Sequence, residues 1–167
     1  STETDLSATG HMLGKSWCLG NDDVMGLFYN YEDNRVRSIN IGSQVDSQSH
    51  RLGFYMMHQG DIYHALFSGF AGWNSLDSTR MVNVNALAEF NQGNYSGWNT
   101  GLYLEQGLTY GVEIFEVQPY IGLQLLNYQS DEFMETGGPV TALNVNDIHI
   151  NSFRTILGGR MNLLSTP

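Results

Sequence analysis

The sequence predicts an all-β protein, an antiparallel meander of strands forming a transmembrane β-barrel. Three observations lead there: apolar residues recur with period two rather than 3.6, turn residues punctuate the runs, and the composition suits neither a helical nor a nucleic-acid-binding chain. Of 167 residues, 41% are hydrophobic, 12% aromatic and only 14% charged, which is too apolar and aromatic for disorder. That length fits one domain, or a piece of one. Nineteen glycines against three prolines, with Lys15 the one lysine among seven basic residues, leave helix formers scarce. A formal net charge of −10 provides no basic stripe for phosphates, so nucleic acid is excluded as a partner. The single cysteine, Cys18, cannot pair within the chain and no Cys/His set has zinc spacing, so neither a metal nor another cofactor is expected. No stretch approaches the ~18 consecutive apolar residues of a spanning helix, and any membrane crossing is made by strands. The opening STETDLSATG lacks a signal-peptide profile. Either the protein stays inside the cell, or the sequence is the inner part of a longer precursor.

The elements follow in order. Residues 11–20 and 24–31 read as two strands joined by Asn21-Asp22-Asp23, and 35–49 as the polar continuation of a hairpin. In 51–58, Leu52, Phe54 and Met56 share one face while Arg51, Gly53 and Tyr55 share the other. Gln59-Gly60-Asp61 is a tight hairpin signal, glycine supplying positive φ. The next strand sets Tyr63, Ala65, Phe67, Gly69, Ala71 and Trp73 against His64 and Ser68. From Gly97 to Gly107, Trp98, Leu102 and Leu104 oppose Asn99, Tyr103 and Glu105, and Tyr110-Gly111 reads as a turn. Val117, Pro119, Ile121, Leu123 and Leu125 then oppose Gln118, Tyr120, Gly122 and Gln124, with the proline tolerated near a strand's start. In the last run, Phe153, Leu157 and Met161 lie opposite Arg154 and Arg160.

Two polar connections, 74–96 and 127–146, are long, whereas the turns at Gly60 and Gly111 are short. Outer-membrane barrels show that asymmetry between their two ends. The alternation itself has two readings. In a soluble sandwich the apolar face points to a core; in a membrane barrel it points to lipid and the polar face to a lumen. Glycine and long polar residues at lumen-type positions, aromatics such as Trp17, Tyr63, Trp73 and Trp98 near run ends, and the near absence of lysine favour the barrel. The lumen-facing set is then Arg51, Tyr55, Asn99, Tyr103, Glu105, Gln118, Tyr120, Gln124, Arg154 and Arg160. The lipid-facing set is Leu52, Phe54, Met56, Phe67, Trp98, Leu102, Leu104, Ile121, Leu123, Leu125, Phe153, Leu157 and Met161. A complete eight-stranded structural or adhesive barrel and a soluble β-sandwich binding module are the alternatives.

Four stretches carry a family resemblance: Pro119-Tyr120-Ile121-Gly122-Leu123; Tyr128 to Gly138, with Phe133, Glu135 and Gly137-Gly138; Ala142-Leu143-Asn144-Val145; and Ser152-Phe153-Arg154-Thr155-Ile156-Leu157-Gly158-Gly159-Arg160. In that order they resemble the β-domain of autotransporters, in which a Pro-aromatic strand leads into a loop containing Phe-x-Glu-x-Gly-Gly, an Ala-Leu-x-Val return and a Ser-x-Arg-Thr-x-Leu-Gly-x-Arg strand. The 50–77 double strand and Gly93-Asn94-Tyr95-Ser96-Gly97 are similar to its upstream elements, so the likeness spans most of 9–163. It implies a twelve-stranded outer-membrane barrel ending a precursor, which inserts into lipid with the barrel-assembly machinery and delivers an N-terminal passenger to the bacterial surface. It also implies a lumen-threading helix before residue 9 and further strands ending on an aromatic residue. The sequence instead stops at Leu164-Ser165-Thr166-Pro167 and holds about seven or eight strands at roughly ten residues each plus connections. The organisation expected is therefore a fragment: a polar lead-in over 1–8, a barrel segment over 9–164 and a short tail over 165–167.

No residues propose catalysis. Asp131, Glu132 and Glu135 lie in a polar loop and read as solvated surface, and no nucleophile elbow, phosphate loop or zinc helix is present. The chain is expected not to be an enzyme. Arg154, Arg160 and Glu105 are candidates for an ion-pair network contacting a threaded segment, against the simpler reading of a paired or solvated wall. His58 and His64 flank a turn without a carboxylate or thiol at ligand spacing, so polar wall is favoured over a metal site.

Overall fold

A computed structural model describes residues 4–39, 42–84, 87–112 and 115–163. Its strands are β1 (Thr4–Cys18), β2 (Asp23–Ser38), β3 (Ser43–Gln59), β4 (Tyr63–Val84), β5 (Leu87–Leu108), β6 (Tyr110–Val112), β7 (Phe115–Ser130), β8 (Phe133–Met134), β9 (Asn144–Val145) and β10 (Ile148–Leu163). The long strands form one antiparallel sheet in the order β1-β2-β3-β4-β5-β7-β10, each hydrogen-bonded to the long strand before it. β6 adds to β7, and β8 with β9 makes a separate small hairpin. The fold is the antiparallel meander, with β1 and β10 at its edges.

The burial pattern inverts that of a soluble protein. Among the described residues no hydrophobic side chain is buried, and Leu157 is 78% exposed, whereas Glu105 is 3% and Asn91 0% exposed. A soluble sandwich must enclose an apolar interior, so that alternative is overturned. A closed eight-stranded barrel would pair its first and last strands, and here those strands are opposite edges of one sheet. Because side chains alternate strictly, the register assigns every residue to one of two faces. The strand residues among the buried polar set, including Ser49, His64, Asn74, Glu89, Asn91, Glu105 and Gln118, fall on one of them, the inner face. With no second layer to cover most of it, that face is buried because the sheet curls toward it.

The registers also give the strand tilt. One cross-strand row runs through Cys18, Val24, Met57, Leu66, Glu105 and Gly122. It starts at the last pair of the first hairpin but lies well short of the last pair of the β6–β7 hairpin, Val112 and Phe115. Successive strands therefore step by between one and two residues, about 5 Å along the strand for each ~4.8 Å across, a tilt on the order of 45°. Strands of membrane barrels incline by that amount.

Three local features depart from the sequence expectation. The polar connection at 74–96 is mostly strand: β4 and β5 pair from Tyr63–Leu108 to Val84–Leu87, projecting as a hairpin beyond their neighbours. Tyr110-Gly111 is not a turn but part of β6, in register with β7 up to the Val112–Phe115 pair. Leu108 and Thr109 separate the β5 and β6 pairings with β7, opposite Pro119, which has no N–H to donate to the ladder. The third hairpin turn does lie at Gly60, whose amide donates to the Tyr63 carbonyl at 2.9 Å, yet the described positive-φ glycines are Gly42 (63°) and Gly137 (124°). Residues 164–167, which include the expected tail, lie outside the described residues.

Candidate functional site: the polar inner wall

The inner face carries all ten residues read as one polar set. Arg51 and Tyr55 are on β3, Asn99, Tyr103 and Glu105 on β5, Gln118, Tyr120 and Gln124 on β7, and Arg154 and Arg160 on β10. The outer face carries the apolar set: Leu52, Phe54 and Met56 on β3, Phe67 on β4, Trp98, Leu102 and Leu104 on β5, Ile121, Leu123 and Leu125 on β7, and Phe153, Leu157 and Met161 on β10. On β4 this face runs from Tyr63 to Trp73, ten residue-to-residue steps of ~3.3 Å each; at a tilt of ~40–45° that spans about 25 Å, the height of a barrel's apolar band.

Glu105 is the centre of the lower wall. Its Oε1 lies 2.7 Å from Nη1 of Arg160, and its Oε2 accepts from Nη2 of Arg160 at 2.9 Å and from the Tyr103 hydroxyl at 2.6 Å. Arg160 reaches over β7 to make this pair, its Cζ 4.5 Å from the centroid of the Tyr120 ring, the cation–π geometry that favours arginine. His64 is buried, with Nε2 3.6 Å from the same carboxylate, beyond hydrogen-bond reach. Gln118 donates to Thr109 and to Glu116 beside them. Of the expected ion network, Arg160 and Glu105 are brought together; Arg154 is not, and lies exposed on the same strand without an ion pair among the described residues. His58 and His64 point to opposite faces, and His58 contacts Asp23 at 2.8 Å, so the two imidazoles do not share a metal.

Higher on the wall, Arg51 pairs with Glu32 at 2.9 Å, a partner the sequence pattern did not reveal. Between the charges, large inner-face rings lie flat over glycines of the adjacent strand. Tyr55 covers Gly26, Tyr103 covers Gly122 and Tyr120 covers Gly158, where any added Cβ would strike the ring. Only glycine leaves that space, so the inner face is walled by flat aromatics rather than filled by upright ones.

At the end bearing the long connection, residues 131–147 fold back onto the projecting β4–β5 hairpin. Asp131 N–H donates to the Ser96 carbonyl, and Gln92 and Thr136 exchange backbone hydrogen bonds at 2.8 Å, so the connection covers a free edge of β5. Glu135 accepts from Arg80 and from the Leu143 amide. Glu89 accepts from the Val140 and Thr141 amides and the Thr141 hydroxyl, and Asn91 accepts from Gly138 N–H. Phe133 stacks on Tyr95 with centroids 4.3 Å apart. Glu135 is thus buried and paired rather than solvated, while Asp131 and Glu132 are exposed. The Arg80 hydrogen bonds hold the Glu135 carboxyl below the ordinary range, and the Thr141 hydroxyl does the same for Glu89, each against an opposing effect of burial. Arg80, Glu89 and Asn91 escaped the sequence reading because they sit in strands polar on both faces.

The comparisons with known proteins agree with this architecture. A family model described as the autotransporter beta-domain matches residues 1–165. Two proteins of Serratia marcescens, each named extracellular serine protease, are 25% identical over 140 and 141 residues, 83% of this chain and 13% of each relative. The chain therefore spans about an eighth of the relatives it matches. The solved translocator domain of the autotransporter NalP from Neisseria meningitidis superposes with a TM-score of 0.77 at 17% identity, covering 95% of this chain and 55% of that one. The chain belongs to the autotransporter beta-domain family, and its antiparallel meander shares its fold with part of that transmembrane β-barrel.

Proposed function

We propose that the outer apolar face meets outer-membrane lipid and that the inner polar wall lines the route by which an attached N-terminal passenger reaches the bacterial surface. The observation carrying this is the inverted burial: buried polar residues such as Glu105 line one face, and exposed apolar residues such as Leu123 cover the other. Along the apolar band the interior strands β2, β3, β4, β5 and β7 make their backbone hydrogen bonds to a neighbour on both sides, the condition for backbone to cross hydrocarbon, and β1 and β10 are the edges. On the inner side, flat rings over glycines and the Arg160–Glu105 and Arg51–Glu32 pairs leave a polar wall along which a polypeptide can pass. The short-turn end faces the periplasm and the end with the β4–β5 projection faces outward. Barrel-assembly machinery is the partner for insertion. Catalysis is not part of this role, and the protease activity named for the Serratia relatives belongs to the portion of those chains without a counterpart here. The test is surface display: fused into its precursor, the domain should carry an epitope-tagged passenger to where external antibody and protease reach it. A domain that inserts, as judged by a heat-dependent gel shift, but never exposes the tag would overturn the translocation reading.

A further inference from the structure

On the outer face at the long-connection end, the apolar band gives way to a ledge of rings. Tyr31, His50, Trp73 and Trp98 are successive cross-strand neighbours on β2 to β5. His50 stacks on Trp73 with centroids 5.0 Å apart and planes 13° apart, and Trp73 meets Trp98 at 6.2 Å. Trp73 is partly covered by His50, whereas Trp98 is 59% exposed. Around Trp98 the neighbouring positions change character within one step. Its cross-strand partner on β7 is Gln129, Thr100 lies opposite Asn127, and Asn127 donates to Asn151 Oδ1 on β10 at 2.7 Å. On its other side Ser96 donates to Asp131 at 3.0 Å. All of these are exposed.

We propose that the Trp98 ledge binds the sugar headgroup of a glycolipid in the outer leaflet of the membrane. The inference rests on the reading that this face meets lipid with the long connections outward. An indole offers a flat, electron-rich face to the axial C–H groups of a pyranose while its N–H stays available. Amide, hydroxyl and carboxylate side chains beside it supply the mixed donors and acceptors that sugar hydroxyls need. Charge separates sugar from phosphate as the recognised group. The described outer-face arginines at this end, Arg35 and Arg37, lie on β2 and are engaged by Asp46 and Gln44, and no described arginine or lysine lies beside Trp98. Continuity with the apolar band supplies the remaining argument, because acyl chains packed on Leu102 and Leu125 would bring the headgroup to the height of Trp98.

The experiment uses the chain folded in detergent and then in vesicles, with Trp17, at the opposite end of the band, as the internal control. Adding lipid-free core oligosaccharide prepared from lipopolysaccharide should change tryptophan emission saturably in the parent and in Trp17→Phe. Trp98→Ala should lose at least ten-fold in apparent affinity, and Asn127→Ala should lose less. A response that survives Trp98→Ala, or that is absent from the parent, overturns the proposal. Brominated acyl chains in a parallel set should quench Trp98 weakly and a tryptophan introduced at mid-band by Leu123→Trp strongly. Strong quenching at Trp98 would place the ledge in hydrocarbon and sink the sugar site alone, whereas no quenching anywhere along the band would sink the lipid-facing reading beneath it.

Discussion

Glu135 in the long connection and Arg80 on β4 are fifty-five residues apart in sequence and joined by two hydrogen bonds from one guanidinium, Nε to Oε1 at 3.1 Å and Nη2 to Oε2 at 2.5 Å. This contact lies beyond the aromatic ledge, where no lipid supplies order. The docking of residues 131–147 onto the β4–β5 projection is thus made by the Glu135, Glu89 and Asn91 side chains, one short edge pairing and the Phe133–Tyr95 stack, not by an apolar core.

The docking should weaken in acid. Both Glu135 and Glu89 have carboxyls held below the ordinary range, so their contribution is complete above the usual carboxylate pKa of about 4.3 and is lost as pH falls through the lowered folded values. Limited proteolysis of the folded domain should show 131–147 protected at neutral pH and cleaved progressively faster below about pH 4. Glu135→Gln should raise cleavage roughly ten-fold at neutral pH, in line with a lost charge-assisted hydrogen bond of about 1–3 kcal/mol. Equal protection in parent and variant across that range would contradict the assignment.

The two faces make opposite demands on charge. Leu123→Arg and Leu157→Arg place a guanidinium on the outer band, at about 2–4 kcal/mol near mid-bilayer, whereas Gln124→Arg adds one to the inner wall beside Tyr103 and Arg154. The folded fraction in vesicles, read from the heat-dependent gel shift, should fall for the two leucine variants and hold for Gln124→Arg. Equal losses in all three would mean the faces are misassigned.

The Glu105 pair should be asymmetric. Glu105 is buried and receives two hydrogen bonds beside its ion pair with Arg160, which is half-exposed. Glu105→Ala leaves Arg160 half-exposed to water and supported on Tyr120, whereas Arg160→Ala leaves a buried carboxylate with its hydrogen bond from the Tyr103 hydroxyl but without its counter-charge. Urea unfolding in detergent should register the larger loss for Arg160→Ala, by roughly 1–3 kcal/mol, and the double variant should cost less than the sum of the singles.

Which parts of this were legible in the sequence follows from where lipid is needed. Along Leu52–Met56, Leu102–Leu104 and Ile121–Leu125 one face must be apolar, so period-two alternation is written into the residues. Past Trp73 and before Trp98 neither face meets lipid, the demand for alternation disappears, and twenty-odd residues of paired strand looked like loop. Glu135 looked solvated for the same reason: its partners Arg80 and Leu143 come from a polar strand and a loop, and only the fold brings them together. The Arg160–Glu105 pair could be suspected from shared facing, but its reach across β7 depends on Tyr120 supporting the guanidinium, which no one-dimensional pattern encodes.

Gly158 and Gly159 are adjacent on β10, and alternation makes them opposites. An added Cβ at Gly158 would run into the ring of Tyr120, whereas at Gly159 it would meet only the Gln118 carbonyl at 4.0 Å. Gly158→Val must therefore displace Tyr120 and with it the ring beneath Arg160, an overpacking cost of about 1–3 kcal/mol. Gly159→Val projects from the outer face, where a β-branched side chain favours the extended backbone and adds apolar surface to the band. The folded fraction in vesicles should drop for Gly158→Val and stay level or rise for Gly159→Val, and pairing Gly158→Val with Tyr120→Ala should recover part of the loss. Matching behaviour of the two glycine variants would mean that the Tyr120 ring does not lie where the wall requires it.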